Sequence, residues 1–335
     1  MEPTLRPLTL GEILDRTAQL YRTHFLLFAG IASVYAGVLL VLSLLQIGAQ
    51  EVFRALHMNQ QLIWVTVIGI LVLWLAIFTF GGIAVATNNR AVGWVYLGKE
   101  ATIRAAYSSI LSRVGRYLWL MTVTYFIVWL PCAILYAAYA ALVFFYVRPK
   151  GLLTQPTMAR DPHAMLIFGL ATIAFALLLL LAVSYAVFMG LRYSLAIPAS
   201  VVENLPARAA IRRSIELSKG SRGRILLLGM LAFVIQLGLT IITQGFFIAF
   251  GFKHHGELPV AVRALQQVIA FLTNTFVAPI YATGLTLFYY DQRVRKEGYD
   301  IEWMMQAAGL TTPNVESVAE ASSGITTQNS ETAHE

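Results

Sequence analysis

The sequence predicts an all-α fold: a polytopic integral membrane protein with six transmembrane helices and three cytoplasmic amphipathic interfacial helices in a threefold repeat. Three observations lead to this fold class. Only 12% of the residues are charged, about half the share that soluble domains carry. The chain contains six separate apolar runs long enough to cross a bilayer. A basic, helix-prone segment that leads into an apolar run occurs more than once.

The repeated segment is clearest at residues 205–228, LPARAAIRRSIELSKGSRGRILLL. It aligns without a gap with residues 97–120, LGKEATIRAAYSSILSRVGRYLWL, and more loosely with residues 8–28. Each copy begins with a polar helix and runs into apolar sequence, so each repeat should consist of one polar helix and two membrane helices. The expected repeats are approximately 8–90, 97–198 and 205–292.

A charged exit helix at 291–305 is expected after the third repeat, which completes a membrane domain of residues 1–305. Residues 306–335 are polar and contain neither Lys nor Arg. This composition cannot bury enough apolar surface to fold, so we expect a disordered cytoplasmic tail.

The three polar helices are predicted from their caps and their apolar stripes. Thr9 is placed to cap the first helix, with Glu12 as its capping-box partner. The other two are expected at about Glu100–Arg113 and Ala207–Lys219. Apolar side chains recur on one face of each helix, which is typical of a helix lying in the membrane interface.

The six spans are predicted from the apolar runs between these helices. They are expected at Phe25–Ile47, Leu62–Ala86, Tyr117–Tyr146, Met165–Met189, Ile225–Phe250 and Val268–Tyr290. Gly81-Gly82 marks a place for close helix approach, and Asn88-Asn89-Arg90 is expected to end the second span. Pro131 should kink the third span, and Pro198 should end or bend the fourth.

The orientation of the spans follows from the distribution of Lys and Arg. Of the 24 basic residues, 17 lie in the N-terminal segment, the 88–116 and 205–224 loops, and the 291–296 run. The other three loops hold 6. Because cytoplasmic loops carry the excess of positive charge, we expect both termini and the three amphipathic helices in the cytoplasm.

Four basic residues are candidates for contact with lipid or a partner. Arg208, Arg212 and Lys219 fall within about 40° of one another on a helix, and Arg104 occupies the position of Arg212 in the earlier repeat. Such a stripe suits phospholipid phosphates. The alternative is that these charges serve membrane topology alone, although topology does not require them at one helical position.

The exit helix provides the second set of candidates: Asp291, Arg293, Arg295 and Lys296. Three acids and three bases fall within residues 291–300 at the end of a span, and Asp291–Arg295 and Lys296–Asp300 have the i,i+4 spacing of helical ion pairs. The run is expected to be a salt-bridged extension of the sixth span. The alternative is a contact surface for the interfacial helices or a partner.

Motifs for catalysis, metal binding or nucleotide binding are not found in the sequence. It has no Gly-rich phosphate loop, no Gly-x-Ser-x-Gly elbow and no His-Glu-x-x-His. The predicted span interiors lack Asp and Glu, which disfavours an ion-coupled transporter. His254, His255 and Glu257 are too few for a structural metal site. We expect no cofactor, no metal and no nucleic-acid partner.

Four blocks of sequence resemble a known bacterial family, the membrane domain of glycerophosphoryl diester phosphodiesterase. They are GEILDRTAQLYRTHF at 11–25, the LG…AxIRAAY block at 97–107, LRYSLAIPASVVE at 191–203 and FYYDQRVRKEGYDIE at 288–302. The resemblance implies a bacterial inner-membrane protein. It also implies that some members carry a phosphodiesterase barrel after this domain, which we do not expect in the residues that follow Trp303.

These observations together favour a non-catalytic integral membrane protein. We expect a membrane scaffold, or a module that contacts anionic phospholipid or another membrane or cytoplasmic protein. The alternatives are a membrane-embedded hydrolase of glycerophosphodiesters or phospholipids and, less favoured, a permease. No catalytic residues can be assigned from the sequence.

Overall fold

The computed structural model describes residues 6–147, 162–253 and 258–307. Over these residues every regular element is helical. The long helices are α2 (Phe25–Ala55), α3 (Asn59–Tyr96), α5 (Val114–Leu142, followed by a π turn at Val143–Val147), α6 (Pro162–Tyr193), α9 (Arg222–Lys253) and α10 (Val260–Glu297). The short helices are α1 (Leu10–Thr23), α4 (Ile103–Leu111), α7 (Ala196–Val202), α8 (Ala207–Ser218) and α11 (Tyr299–Ala307).

Each of the six long helices is long and apolar enough to cross a membrane. A span needs about 20 predominantly apolar residues, and these helices exceed that length. The chain is therefore a multi-pass membrane protein whose regular elements, over the described residues, are all helices, as the composition predicts. The predicted disordered tail at 306–335 lies almost wholly outside the described residues, which end at Ala307.

The chain divides into two compact units. The first contains the described residues from Leu8 to Tyr290, and the second contains those from Asp291 to Ala307 together with Arg6 and Pro7. Within the first unit α2 packs on α3, α5 packs on α6, and α7 packs on both α3 and α8.

Small residues line the places where the spans meet. Cys132 on α5 forms a buried cluster with Ala182 and Ala186 on α6. A Cβ added at Gly82 would collide with the side chain of Met121, so the predicted close approach at this glycine is confirmed. Small side chains let helix backbones approach in a bilayer, where packing rather than water exclusion drives association.

Large apolar side chains point away from the helix contacts. Leu181 on α6 is 69% exposed and Ile242 on α9 is 72% exposed. A water-soluble protein would bury such side chains, whereas lipid tails are as apolar as the side chains themselves. The exposed apolar surface therefore fits a bilayer environment.

Two predicted element boundaries are wrong. The second span does not end at Asn88-Asn89-Arg90, because α3 continues through them to Tyr96. The charged exit run is not one helix: α10 ends at Glu297, Gly298 adopts φ +66°, and α11 begins at Tyr299. A positive φ is the conformation that glycine supplies at helix ends.

The expected interruption near Pro198 is confirmed. The fourth span ends at Tyr193, and α7 begins at Ala196. Pro198 has no N–H to donate to the carbonyl of Ser194, four residues earlier, which is where the helix is interrupted. Pro131 lies inside α5, which continues to Leu142.

Candidate functional site at the arginine-rich end

One end of the first unit gathers most of the described arginines, and we call it the arginine-rich end. It is the end where α5 and α9 begin and where α3 and α6 finish. Ring contacts connect the end of α3 and the start of α9 to α10: Tyr96 and Tyr290 have centroids 5.2 Å apart, and the guanidinium of Arg224 lies 5.3 Å from the centroid of Phe288. The short helices α4, α7 and α8 lie between them.

A carboxylate, a guanidinium and a phenol meet at the centre of this end. The Nε of Arg213 on α8 lies 3.0 Å from both carboxylate oxygens of Glu203. The hydroxyl of Tyr289 on α10 donates a hydrogen bond to the same carboxylate. The Glu203 side chain is 17% exposed and that of Arg213 is 23% exposed. The group therefore connects α8 and α10 through a partly desolvated ion pair.

The residue after Glu203 provides a second connection. Asn204 has φ 59°, a left-handed conformation that asparagine tolerates better than most residues. Arg116 donates to its side-chain oxygen at 2.8 Å and to its carbonyl at 3.0 Å, and Arg113 donates to the same side chain. Two arginines at the start of α5 are thus used to hold the loop between α7 and α8.

The first residues of the first unit are also fixed by hydrogen bonds. Thr9 and Glu12 form the capping box that the sequence predicts. Arg224 on α9 donates to the carbonyl of Leu8 at 2.8 Å.

The hydroxyl of Tyr107 on α4 donates to the carbonyl of Ile31 on α2 at 2.8 Å. Burial raises the pKa of Tyr107 to about 12, so its hydroxyl stays protonated and able to donate.

Two buried amides connect α3 to α10. Asn88 lies 3.5 Å from the hydroxyl of Thr283, and Asn89 accepts from the hydroxyl of Thr286 at 2.9 Å. Both asparagines are almost fully buried. Because both side chains form hydrogen bonds with threonines on α10, these polar residues can lie inside α3 and do not end the helix. Interhelical hydrogen bonds of this kind typically contribute about 0.6 kcal/mol in a membrane protein.

Three of the predicted contact residues remain at the surface of the arginine-rich end. Arg104, Arg208 and Arg212 are exposed, and none of them makes a hydrogen bond or ion pair with a described residue. Lys219 is exposed but does interact with another residue. Arg208 and Arg212 lie one turn apart on α8, whereas Arg104 lies on a different helix, α4.

The other four predicted residues belong to the second unit. Asp291 and Arg295 form the predicted pair, with the Arg295 Nε 3.0 Å from the carboxylate. Arg293 pairs with Glu297 at 3.1 Å and lies over the ring of Tyr299, 4.0 Å from its centroid.

The predicted helical spacing of Lys296 and Asp300 is wrong. These two residues lie on different helices because of the break at Gly298.

The residues that hold this end together are not among those predicted from the sequence. Arg208 and Arg212 are predicted contact residues, whereas their neighbour Arg213, which forms the ion pair, is not. The available signal was Glu203, an acid within a basic segment at the end of a span, which requires a partner when buried. Arg192 and Arg222 are also not among the predicted residues; these two half-buried arginines form no ion pair with any described carboxylate.

A smaller polar cluster lies where α2 ends and α10 begins. Glu51 pairs with Arg54 at 3.1 Å and with Arg263 on α10. Gln50 donates to Thr66 on α3 at 3.2 Å. Among the described residues no group of three or more His, Cys, Asp or Glu could hold a metal ion. His254, His255 and Glu257 lie outside the described residues.

The fold and this end define a multi-pass helical membrane domain. The family model described as the membrane domain of glycerophosphoryl diester phosphodiesterase matches residues 165–325. The match confirms the resemblance carried by the sequence blocks at 191–203 and 288–302, and it does not reach the blocks at 11–25 and 97–107. No curated protein and no solved structure gives a match.

Proposed function

We propose that this protein is a non-catalytic membrane module whose arginine-rich end contacts anionic phospholipid. The contact surface is a basic collar formed by Arg104, Arg208, Arg212 and Lys219. In this proposal the collar faces the cytoplasm of a bacterial inner membrane, because the excess of Lys and Arg lies on this side of the spans. Anionic lipid in the cytoplasmic leaflet attracts such residues by about 1 kcal/mol each.

One observation carries the proposal: six arginines of this end form two contrasting groups. Arg213, Arg116 and Arg224 are occupied by Glu203, Asn204 and the carbonyl of Leu8. The collar arginines Arg104, Arg208 and Arg212 are exposed and have no partner among the described residues. An arginine used for folding has a partner in the protein, so the second group remains available to phosphate.

The repeat gives the collar its arrangement in this proposal. Short helices precede pairs of long helices three times, as α1, α4 and α8. We propose that these are three copies of one unit and that the short helices lie in the membrane interface. A helix in this position would bury its apolar face in the bundle and keep its arginines at the level of the lipid phosphates.

The charged run of the second unit suits a different role. Asp291 and Glu297 balance Arg295 and Arg293 within the run. A surface with both signs attracts an anionic leaflet less than the collar does. We propose that this run extends the last span and offers a surface for a protein partner.

The proposal is tested by lipid selectivity in proteoliposomes. Spin-labelled phosphatidylglycerol and phosphatidylcholine are compared by the fraction of label that the protein immobilises. Wild-type protein should prefer phosphatidylglycerol by about two- to fivefold, as expected for charges at a screened surface. The variant Arg104→Gln/Arg208→Gln/Arg212→Gln should lose most of this preference.

Two control variants separate the charge of the collar from other effects. The corresponding triple lysine variant keeps the charge and should keep the preference. Arg54→Gln removes a charge from the last turn of α2, outside the collar, and should not change the preference for phosphatidylglycerol. Equal immobilisation of the two lipids by wild-type protein would refute the proposal. Turnover of the lipid by pure protein would favour the hydrolase instead.

A further inference from the structure

Arg192 and Arg222 are two half-buried arginines for which the described residues provide no anion. Arg192 lies in the last turn of α6, and Arg222 is the first residue of α9. Both side chains are half-buried, and the Nε of each is buried without a hydrogen-bond partner among the described residues. A buried donor on a charged group is costly to leave unsatisfied.

The two arginines belong to one neighbourhood between α6 and α9. These helices pack against each other. The guanidinium of Arg222 lies 4.9 Å from the ring centroid of Phe188 on α6. Arg192 follows Phe188 by four residues, so both lie on the same face of α6. Phe188 is therefore a shared neighbour that places the two positive side chains on the same side of the helix pair.

The local electrostatics favour an anion at this position. Arg222 lies in the first turn of α9, where the helix dipole already contributes positive charge, and that turn has no acidic residue. A cation there is destabilising unless negative charge is supplied from outside the helix. Arg192 is better placed, because the last turn of a helix favours a cation. The unbalanced charge is therefore concentrated at Arg222, and Arg192 adds a second positive charge one turn along α6 from the Phe188 ring that Arg222 contacts.

Below the arginines the surface is apolar and uncovered. Phe188 lies one turn from Arg192 towards the membrane interior, and Leu226 lies one turn from Arg222 in the same direction. Their side chains are 47% and 37% exposed. An occupant with a phosphate at the arginines and a hydrocarbon chain along Phe188 and Leu226 would match both parts of this surface.

We propose that Arg192 and Arg222 bind the phosphodiester of one anionic phospholipid, whose acyl chains lie in the groove between α6 and α9. Two guanidinium groups at a helix N-terminus fit a headgroup with net negative charge. A zwitterionic headgroup brings its own ammonium group to the same place and fits less well. The inference extends the proposed function, since the ligand is again anionic phospholipid, but it uses no collar residue.

The backbone of Arg192 is held independently of its side chain. Ser214 and Ser218 on α8 donate to its carbonyl at 2.9 and 3.3 Å. Replacing the guanidinium should therefore leave the joint between α6 and α8 in place. Arg222 donates no hydrogen bond to a described residue, so its replacement removes no hydrogen bond of the fold.

Native mass spectrometry of the full chain in mild detergent tests this site. Phosphatidylglycerol and phosphatidylcholine with identical acyl chains are titrated separately. Wild-type protein should bind one phosphatidylglycerol at least about tenfold more tightly than phosphatidylcholine. Arg192→Gln/Arg222→Gln should raise the Kd for phosphatidylglycerol by about tenfold for each arginine removed. Arg192→Lys/Arg222→Lys keeps both charges and should recover most of the affinity.

The collar variant Arg208→Gln/Arg212→Gln separates this site from the proposed collar. If only the Arg192/Arg222 variant loses the lipid, the groove site stands regardless of the collar. If only the collar variant loses it, the groove site is overturned and the collar stands. Equal binding of the two lipids by wild-type protein, or an unchanged Kd in the Arg192/Arg222 variant, overturns the groove site. Should that double variant fail to fold, Arg222→Gln alone carries the same expectation of a tenfold loss.

Discussion

The ion pair between Glu203 and Arg213 should be worth about 2 kcal/mol to the stability of the bundle. The Nε of Arg213 lies 3.0 Å from both carboxylate oxygens. At this distance and an effective dielectric of about 20, the gross attraction is roughly 5 kcal/mol. The side chains are 23% and 17% exposed, so much of their hydration is lost on folding and offsets part of that attraction. Hydrogen bonds to charged groups contribute about 1.5–3 kcal/mol net, and the expected net stabilisation of about 2 kcal/mol lies within this range.

A double-mutant cycle measures this energy. Arg213→Gln removes the guanidinium that contacts the partly buried carboxylate of Glu203, and Glu203→Gln removes the carboxylate that contacts the guanidinium of Arg213. Each single change should lower the free energy of unfolding by about 2–3 kcal/mol. The double variant should be less destabilised than the sum of the two by about 2 kcal/mol, because the second change removes a charge that has already lost this contact.

The assay is reversible unfolding in mixed detergent micelles, monitored by circular dichroism. Arg212→Gln is the matched control, because this neighbouring arginine is exposed and has no partner among the described residues. Its effect should lie within about 0.5 kcal/mol of zero. If the Glu203 and Arg213 effects add to within about 0.5 kcal/mol, the two side chains do not interact in the way described here, and the reasoning is refuted.

Two further predictions concern close packing and pH. Gly93→Ala would place a Cβ 2.9 Å from the hydroxyl of the buried Tyr290, so it should lower the free energy of unfolding by about 1–3 kcal/mol in the same assay. Gly229→Ala is the control, because its Cβ would have nothing within 4 Å, and it should not destabilise the protein. Equal effects of the two variants would contradict the contact between Gly93 and Tyr290. Folding raises the pKa of Tyr107 from 10.0 to about 12, so the unfolded chain loses this proton at a lower pH than the folded protein does. The free energy of unfolding should therefore fall as pH rises from 10 to 12. Tyr107→Phe should show a smaller fall, and an identical pH profile would count against the burial of the hydroxyl.

The spans could be predicted from the sequence because their signal is local. An apolar run of sufficient length must be a helix when no water is available to its backbone. The ends of the spans were harder to predict. Asn88 and Asn89 resemble a helix end in isolation, but Thr283 and Thr286 on a distant helix receive their side chains. No local rule supplies partners that are almost 200 residues away.

The candidate site was predicted only in part, for a related reason. The exposed arginines Arg208 and Arg212 were found because a stripe on one helix depends on spacing alone. Arg213 and Glu203 were not singled out, because nothing in α8 indicates which arginine turns towards the loop before it. The spacing of Lys296 and Asp300 predicts a helical pair only if the charged run is one helix, and Gly298 breaks that helix.

The most direct test of a lipid-contacting arginine-rich end is the salt dependence of lipid selectivity. Wild-type proteoliposomes are measured with phosphatidylglycerol and phosphatidylcholine at about 0.1 M and 1 M salt, where the screening length falls from about 10 to 3 Å. The account predicts a clear preference for phosphatidylglycerol at low salt. At high salt most of the preference for phosphatidylglycerol should disappear, because salt screens the exposed arginines of the collar. Only the part of the preference that is due to the half-buried Arg192 and Arg222 should remain. A ratio of one at both salt concentrations would contradict the account.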